Sequence, residues 1–198
     1  MGLVVAVVCG MSSIIKAEDA ENKFWFNETG LGMAKHNAYY HDITQYGMQN
    51  TYGANLFHHG FGSVRIAGSI GYFINMKEKI YEDKNVKREI KLGQFFNLAG
   101  SVEYELDLDY VRLHAGPVLG YSILMPMVET TTTSGRNSTS ELKNENSSSA
   151  SLGFTAGASV ELGSTSYISV GYTSLGHRGD KMKDGKVNIV SISYGKRF

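Results

Sequence analysis

The segment that most constrains this chain is its final stretch, Val187 to Phe198. Val190, Ile192, Tyr194 and Phe198 fall on one parity, while Ser191, Ser193, Gly195 and Arg197 fall on the other. A period of two places the sets on opposite faces of a β-strand, one apolar and one small and polar. A strand that continues to the last residue leaves an edge that must find a partner. Pairing with the first strand of the chain would close a barrel.

The same period recurs often enough to supply the remaining staves. Phe24 to Ala34 sets Trp25, Thr29, Leu31 and Met33 against Glu28, Gly30, Gly32 and Ala34. Thr51 to His59 alternates Tyr52, Ala54 and Leu56 with Gly53, Asn55 and Phe57. The segment from Ser63 to Met76 is the most regular, with Val64, Ile66, Ile70, Tyr72 and Ile74 opposing Arg65, Ala67, Ser69 and Gly71. Further strands are expected from Leu92 to Tyr104, Tyr110 to Met125, Ser151 to Leu162 and Ile168 to Thr173. With the terminal strand this makes eight. Most exceed the ~5–6 residues usual in soluble sheets and approach the ~9–11 that cross a bilayer at a tilt. Pro117 interrupts the fifth, because proline cannot donate to a ladder, and a bulge or local break beside Gly116 is expected to absorb it.

Links between these strands alternate in length. Short ones fall at Gly60–Gly62, Glu105–Asp109 and Gly163–Ser166, and long polar ones at Lys35–Asn50, Lys77–Lys91, Met127–Ser149 and about Gly176–Lys186. Short turns on one rim and long loops on the other are the habit of single-chain membrane barrels. The polar parity consists mostly of Gly, Ser, Thr and Asn, which suits a crowded interior better than a solvated face. Its charged members, Glu28, Arg65, Glu103, Arg112 and Glu161, carry both signs and are read as a mutually paired lumen network, since unpaired buried charges would be prohibitive. Hydrocarbon offers no hydrogen bonds, so every strand needs two partners. Eight strands leave an interior that side chains fill, so no general diffusion pore is expected. The fold class is therefore all-β, an eight-stranded antiparallel transmembrane barrel.

Composition supports this class by exclusion. The chain has 198 residues, 19 basic against 19 acidic, with 23 Gly, 12 Tyr and only 2 Pro. Neutral charge argues against a globally basic nucleic-acid binder and against a highly charged disordered chain. No run reaches the roughly 20 apolar residues of a membrane helix. The apolar stretch from Leu3 to Ile15, followed by Ala17 and an acidic segment, reads as a signal peptide over residues 1–17, leaving 18–198 as the barrel domain. It lacks a basic start, which suggests an initiation codon placed too far downstream; the alternative is a buried N-terminal strand. Cys9, the single cysteine, would leave with the signal, so no disulfide is expected.

Catalytic signals are weak. His177 with Ser174 and Asp180, or the pair His58–His59, could in principle activate a nucleophile. Adjacent strand residues face opposite ways, however, so His58 and His59 cannot serve one site. His114 is read as a hydrogen-bonded lumen filler. No clustered ligands suggest a metal, no phosphate loop is present, and neither enzymatic activity nor a cofactor is expected.

Several of these segments together resemble the Ail/OmpX (Ail/Lom) family of enterobacterial outer-membrane barrels. They are Gly62 to Lys79, the run Gly116-Pro117-Val118-Leu119-Gly120-Tyr121, Ser151 to Leu162, Tyr167 to Ser174, and the ending Ser193-Tyr194-Gly195-Lys196-Arg197-Phe198. The chain departs from the family at Lys196, where an aromatic residue is commoner, and in its long Ser/Thr/Asn-rich link. The resemblance implies a monomeric outer-membrane surface protein whose terminal Phe198 and Tyr194 signal to the barrel-assembly machinery. It also implies adhesion to and invasion of host cells and serum resistance, carried by the extracellular loops. A small enzyme acting on lipid A and a purely structural barrel are the alternatives. Two basic clusters are the binding candidates: Lys77, Lys79, Lys84, Lys87, Arg88 and Lys91 in the second loop, and Arg178, Lys181, Lys183 and Lys186 in the fourth. They could meet lipopolysaccharide phosphates, or host extracellular matrix, heparan sulfate or complement regulators, through charge-assisted contacts. Glu78, Glu82, Asp83 and Glu89 sit among them, so a solvated loop of mixed charge is the competing reading. The tract Thr130 to Ser149 reads as a low-complexity loop. Its sequon Asn137-Ser138-Thr139 has no meaning in a bacterial envelope without glycosylation machinery.

Overall fold

The computed structural model describes residues 24–38, 41–75, 79–83, 86–91, 93–108, 110–125, 128–133, 136–140, 147–176 and 185–198. The expected signal peptide lies outside them. The strands are β1 (Trp25–Ala38), β2 (His41–His59), β3 (Gly62–Ile74), β4 (Lys79–Asp83), β5 (Val86–Lys91) and β6 (Gln94–Leu108). They continue with β7 (Val111–Leu124), β8 (Val128–Thr133), β9 (Arg136–Ser140), β10 (Ser147–Glu161), β11 (Ser166–Gly176) and β12 (Lys186–Arg197).

Eight of these form a closed barrel in the order β1-β12-β11-β10-β7-β6-β3-β2. Every pairing is antiparallel. First and last strands meet over Phe26↔Arg197 to His36↔Val187. Trp25 and Phe198 exchange backbone hydrogen bonds of 3.3 and 2.9 Å at the end of that seam. The terminal strand is thus a full stave.

The alternation sorts side chains as a bilayer requires. Leu31, Met48, Ile70, Leu98, Leu119, Leu152, Val170 and Ile192 are exposed on the outside, Leu152 at 76%. Exposed aromatics gather at both ends of this band. Tyr46, Tyr72, Tyr121 and Tyr172 stand toward the long links, and Trp25, Phe57, Phe61, Tyr104, Tyr110, Tyr194 and Phe198 toward the short turns. An apolar band edged by aromatic belts is stable against lipid and would be unstable against water.

Four of the expected links need correction. The link Lys35–Asn50 is strand for most of its length, because β1 runs to Ala38 and β2 starts at His41. The links Lys77–Lys91 and Met127–Ser149, read as loops, contain β4, β5, β8 and β9. These pair as a separate four-stranded sheet, β4-β5-β8-β9. The start of β10 also takes up Ser147–Ser149. The link Glu105–Asp109 shrinks because β6 continues to Leu108. The common cause is that polar residues form ladders as well as apolar ones once another strand satisfies their backbone; only the apolar signature stops at the membrane.

At Pro117 the barrel breaks locally without a bulge. Between β6 and β7 the register runs from Ser101↔Val118 to Tyr104↔Ala115, with equal spacing on both strands and no pairing recorded between. On the other side Pro117 still stands opposite Phe154. Among the described residues, the register shifts between Leu56 and His59, where Phe57 takes φ 52° beside the turn glycine Gly60 at φ 49°. A left-handed phenylalanine is sterically costly, whereas glycine adopts that conformation freely.

Candidate functional site

Two places in this architecture concentrate chemistry: the lumen, and the four-stranded sheet outside the barrel. Inward-pointing charges collect near the short-turn end of the lumen. Arg65 is the hub. It donates to Glu28 at 2.8 Å and lies 3.6 Å from both Glu103 and Glu105. Its guanidinium also sits 3.9 Å above the Phe26 ring. Arg112 links Glu161 at 2.9 Å, Asp107 at 3.1 Å and Glu105 at 3.7 Å. Arg197 donates to the same Glu161 at 2.9 Å and stacks 4.3 Å from the Tyr167 ring. Tyr167 donates to Glu28 at 3.0 Å, and Asn55 to Glu105 at 3.1 Å. His114 bonds Glu103 at 2.5 Å through Nδ1, and Ser101 donates to the other oxygen of that carboxylate.

The five lumen charges singled out from the sequence, Glu28, Arg65, Glu103, Arg112 and Glu161, all stand in this cluster. Sequence reasoning missed Asn55, Glu105, Asp107, Tyr167 and Arg197. Arg197 was findable, since it shares the parity of Ser193 and Gly195. Glu105 and Asp107 fell in what read as a turn. With the additions, each of the eight barrel strands contributes at least one member. Mutual ion pairing makes such burial tolerable, while Asn55 Oδ1, Arg65 Nε, Glu105 Oε2, Arg112 Nε and Arg197 Nη2 lack a hydrogen bond within it.

Toward the long links the lumen changes character. Ala34, Phe73, Phe95, Leu124, Val187 and Ile189 form a buried apolar layer, with Phe73 and Phe95 rings 5.8 Å apart. His36 meets the edge of Phe95 and bonds Gln45 at 2.6 Å, and Gln45 donates to the Gly93 carbonyl at 2.6 Å. Between the two layers lies a polar cavity of about 40 Å³, lined in part by Gln49, Thr51, Glu103, His114 and Thr173.

The outer sheet joins two neighbouring hairpins through β5 and β8, from Val86↔Thr133 to Lys91↔Val128. The registers place Tyr81, Arg88, Thr131 and Ser138 in one cross-strand row, and Glu82, Lys87, Thr132 and Asn137 in the next. Rows alternate between faces. Lys79 and Arg88 therefore belong to one face and Lys87 and Lys91 to the other, so the second basic cluster is split. The Lys87 face also carries Glu82 and Glu89. The Arg88 face adds Arg136 and carries the acids Asp83 and Glu129, leaving three cations against two acids.

Lys77, Lys84, Arg178, Lys181 and Lys183 lie outside the described residues, as do His177 and Asp180. Lys186 opens β12 opposite Gly176 and is exposed. His58 and His59 close β2. Ser174 donates its hydroxyl to Asn188 at 2.9 Å.

No family model matches the chain, and no curated protein sequence matches it. Among solved structures, Neisserial surface protein A (NspA) matches with a TM-score of 0.60 at 15% identity, over 88% of this chain and 97% of that one. Ail, the attachment invasion locus protein of Yersinia pestis, matches with a TM-score of 0.53 at 16% identity, over 89% of this chain and 99% of that one. Ail in complex with the heparin analogue sucrose octasulfate gives 0.54 at 16% identity, over 88% and 97%. Identities this low carry architecture and not activity. On its own topology and these likenesses, the chain has the fold of an eight-stranded outer-membrane β-barrel.

Proposed function

We propose that this barrel is a monomeric bacterial surface protein of the Ail/OmpX type that acts by binding rather than catalysis. Seated in the outer membrane, it holds the sheet β4-β5-β8-β9 beyond the aromatic belt as its contact surface. The partners this reading names are sulfated host glycans of the heparan sulfate kind, host matrix and complement regulators, with lipopolysaccharide phosphates beside it in the membrane. Adhesion, invasion and serum resistance would follow from those contacts.

The observation that carries the reading is the pairing of β5 with β8, which turns two separate basic and Thr-rich hairpins into one ordered sheet. A backbone already paired into a sheet loses less entropy on binding than free loops do. A sulfated ligand seen on Ail, a protein of the same fold, supports the choice of polyanion.

The test is heparin binding by bacteria displaying the chain at matched surface levels. Replacing Lys84, Lys87 and Arg88 together by Ser should abolish most of the binding. Of the two faces, Lys79→Ser with Arg88→Ser should reduce it more than Lys87→Ser with Lys91→Ser, because the Arg88 face has the excess cation. Undiminished binding in all three variants would remove the sheet from the account. Lipid A mass profiles that change when the chain is expressed would replace binding with catalysis.

A further inference from the structure

The cavity of about 40 Å³ between the two lumen layers is lined from all eight barrel strands. Its wall is rich in oxygen: seven Ser and Thr residues line it together with Gln49, Glu28 and Glu103. Several of these oxygens are unclaimed. Gln49 Oε1 is buried and accepts no hydrogen bond from the described residues. Thr51 and Ser169, 9% and 4% exposed, have hydroxyls with no hydrogen-bond partner among the described residues. An amide oxygen only accepts, so it calls for a donor or a cation.

The wall also carries unbalanced charge. Glu28 and Glu103 line the cavity with a single guanidinium, that of Arg65. Glu105 draws on the same arginine from 3.6 Å, so three carboxylates share one cation. The neighbouring pairs do not make up the difference. Glu28, Glu103, Glu105, Asp107 and Glu161 stand against Arg65, Arg112 and Arg197, five acids to three arginines. His114, bonded to Glu103 through Nδ1, cancels one charge at most. Unmatched charge away from bulk water is costly. Waters in the cavity would satisfy the hydroxyls without supplying the missing charge.

We infer that this cavity is a binding site for one small monovalent cation of sodium size. Gln49 Oε1 and the hydroxyls of Thr51 and Ser169 hold it, and the carboxylates of Glu28 and Glu103 supply the opposing charge. Oxygen ligands suit hard cations, but a divalent ion fits less well. Calcium takes roughly 6–8 oxygens, and magnesium parts with its water reluctantly. Both lining carboxylates are already engaged, Glu28 by Arg65 and Tyr167, Glu103 by His114 and Ser101. With a layer closing the lumen on either side, the ion enters during folding and exchanges slowly. The inference needs only the closed barrel, and it stands or falls separately from the glycan reading.

The full chain is refolded into phosphatidylcholine vesicles in sodium chloride, or in N-methylglucamine chloride at equal ionic strength, whose organic cation is too large for the cavity. Urea unfolding then reads the folding equilibrium constant. It should be about tenfold larger in sodium chloride, as for a site supplied at roughly nine times its dissociation constant. In Gln49→Met, and in Thr51→Val with Ser169→Ala, the two salts should become equivalent, which separates this site from cations bound at the surface. Refolding with radioactive sodium, then passage through a sodium-free column, should leave sodium equimolar with the folded unmodified chain. If the variants fail to fold on a heat-modifiable gel, that retention decides alone. Equal stability of the unmodified chain in the two salts overturns the site, as does failure to retain sodium. A salt preference that survives in the folded variants overturns it as well. Stability that follows pH but not the choice of cation assigns the missing charge to His114, and the inference is wrong.

Discussion

Arg65 is 2% exposed and within ion-pair distance of three glutamates drawn from two strands, so its removal strands charge in a site water barely reaches. Breaking a buried pair from one side costs about 3–5 kcal/mol, more than such a pair is worth against an apolar replacement. Arg65→Ala should therefore lower the unfolding free energy of the vesicle-refolded barrel by an amount of that order, read as a lower urea midpoint. Glu28→Gln should cost clearly less, because the amide oxygen still accepts from Arg65 and from Tyr167. Equal midpoints for Arg65→Ala and the unmodified chain would mean the cluster is decorative. The same residues show what sequence parity can and cannot deliver. Alternation assigned Glu28, Arg65, Glu103, Arg112 and Glu161 to the interior, since side-chain direction is a local property of a strand. Which charge meets which depends on stagger between strands distant in the chain, as with Tyr167 and Glu28, and no local pattern encodes that. Phe73 and Phe95 escaped notice for a related reason: they are apolar residues on the polar parity, and a two-colour reading has no place for them.

Strands within the membrane announce themselves because lipid demands an apolar face, and β3 and β12 were legible almost to the residue. The separate sheet shows no such signature: β4 and β5 mix charged residues with Ile80, Tyr81, Val86 and Ile90 and leave no parity to read. The run Thr130 to Thr133 was the available clue, being β-branched and strand-favouring, but low complexity hid it. The pairing of β5 with β8 has a direct check. Arg88 stands opposite Thr131, and Glu89 opposite Thr130. Directly opposed residues on neighbouring strands bring Cβ atoms to ~4.5–5.5 Å, close to what a disulfide spans. With Cys9 replaced by Ser, Arg88→Cys with Thr131→Cys, or Glu89→Cys with Thr130→Cys, should crosslink on mild oxidation, visible as a mobility shift that reductant reverses. Arg88→Cys with Thr130→Cys places the thiols on opposite faces and should not. Crosslinking of the offset pair in preference to both opposed pairs would show that the hairpins are not registered as described.

At the scale of the molecule, two unlike barriers stand in series along the lumen. Ion pairs from six of the barrel strands, with Asn55 of β2 and Tyr167 of β11 hydrogen-bonded into them, fill the short-turn end, and the apolar layer around Phe73 and Phe95 fills the other. The cavity of about 40 Å³ between them has room for roughly three waters, taking ~10–15 Å³ for each. A hydrated ion entering from the short-turn side would have to displace an arginine already bonded to glutamates, and would then meet a mainly apolar layer whose polar side chains, His36 and Gln45, are already bonded to each other. Either obstacle alone costs several kcal/mol, as stripping water from a charge does. The barrel should accordingly show no stable conductance steps in a planar bilayer. Because the barriers are independent, Phe73→Ala with Phe95→Ala should also remain silent, even though it removes the aromatic half of the outer one. Defined steps from the unmodified protein would contradict the sealed lumen altogether. Steps that arise only in the double variant would show that the ion-pair layer leaks, and that the seal resides in the two phenylalanine rings.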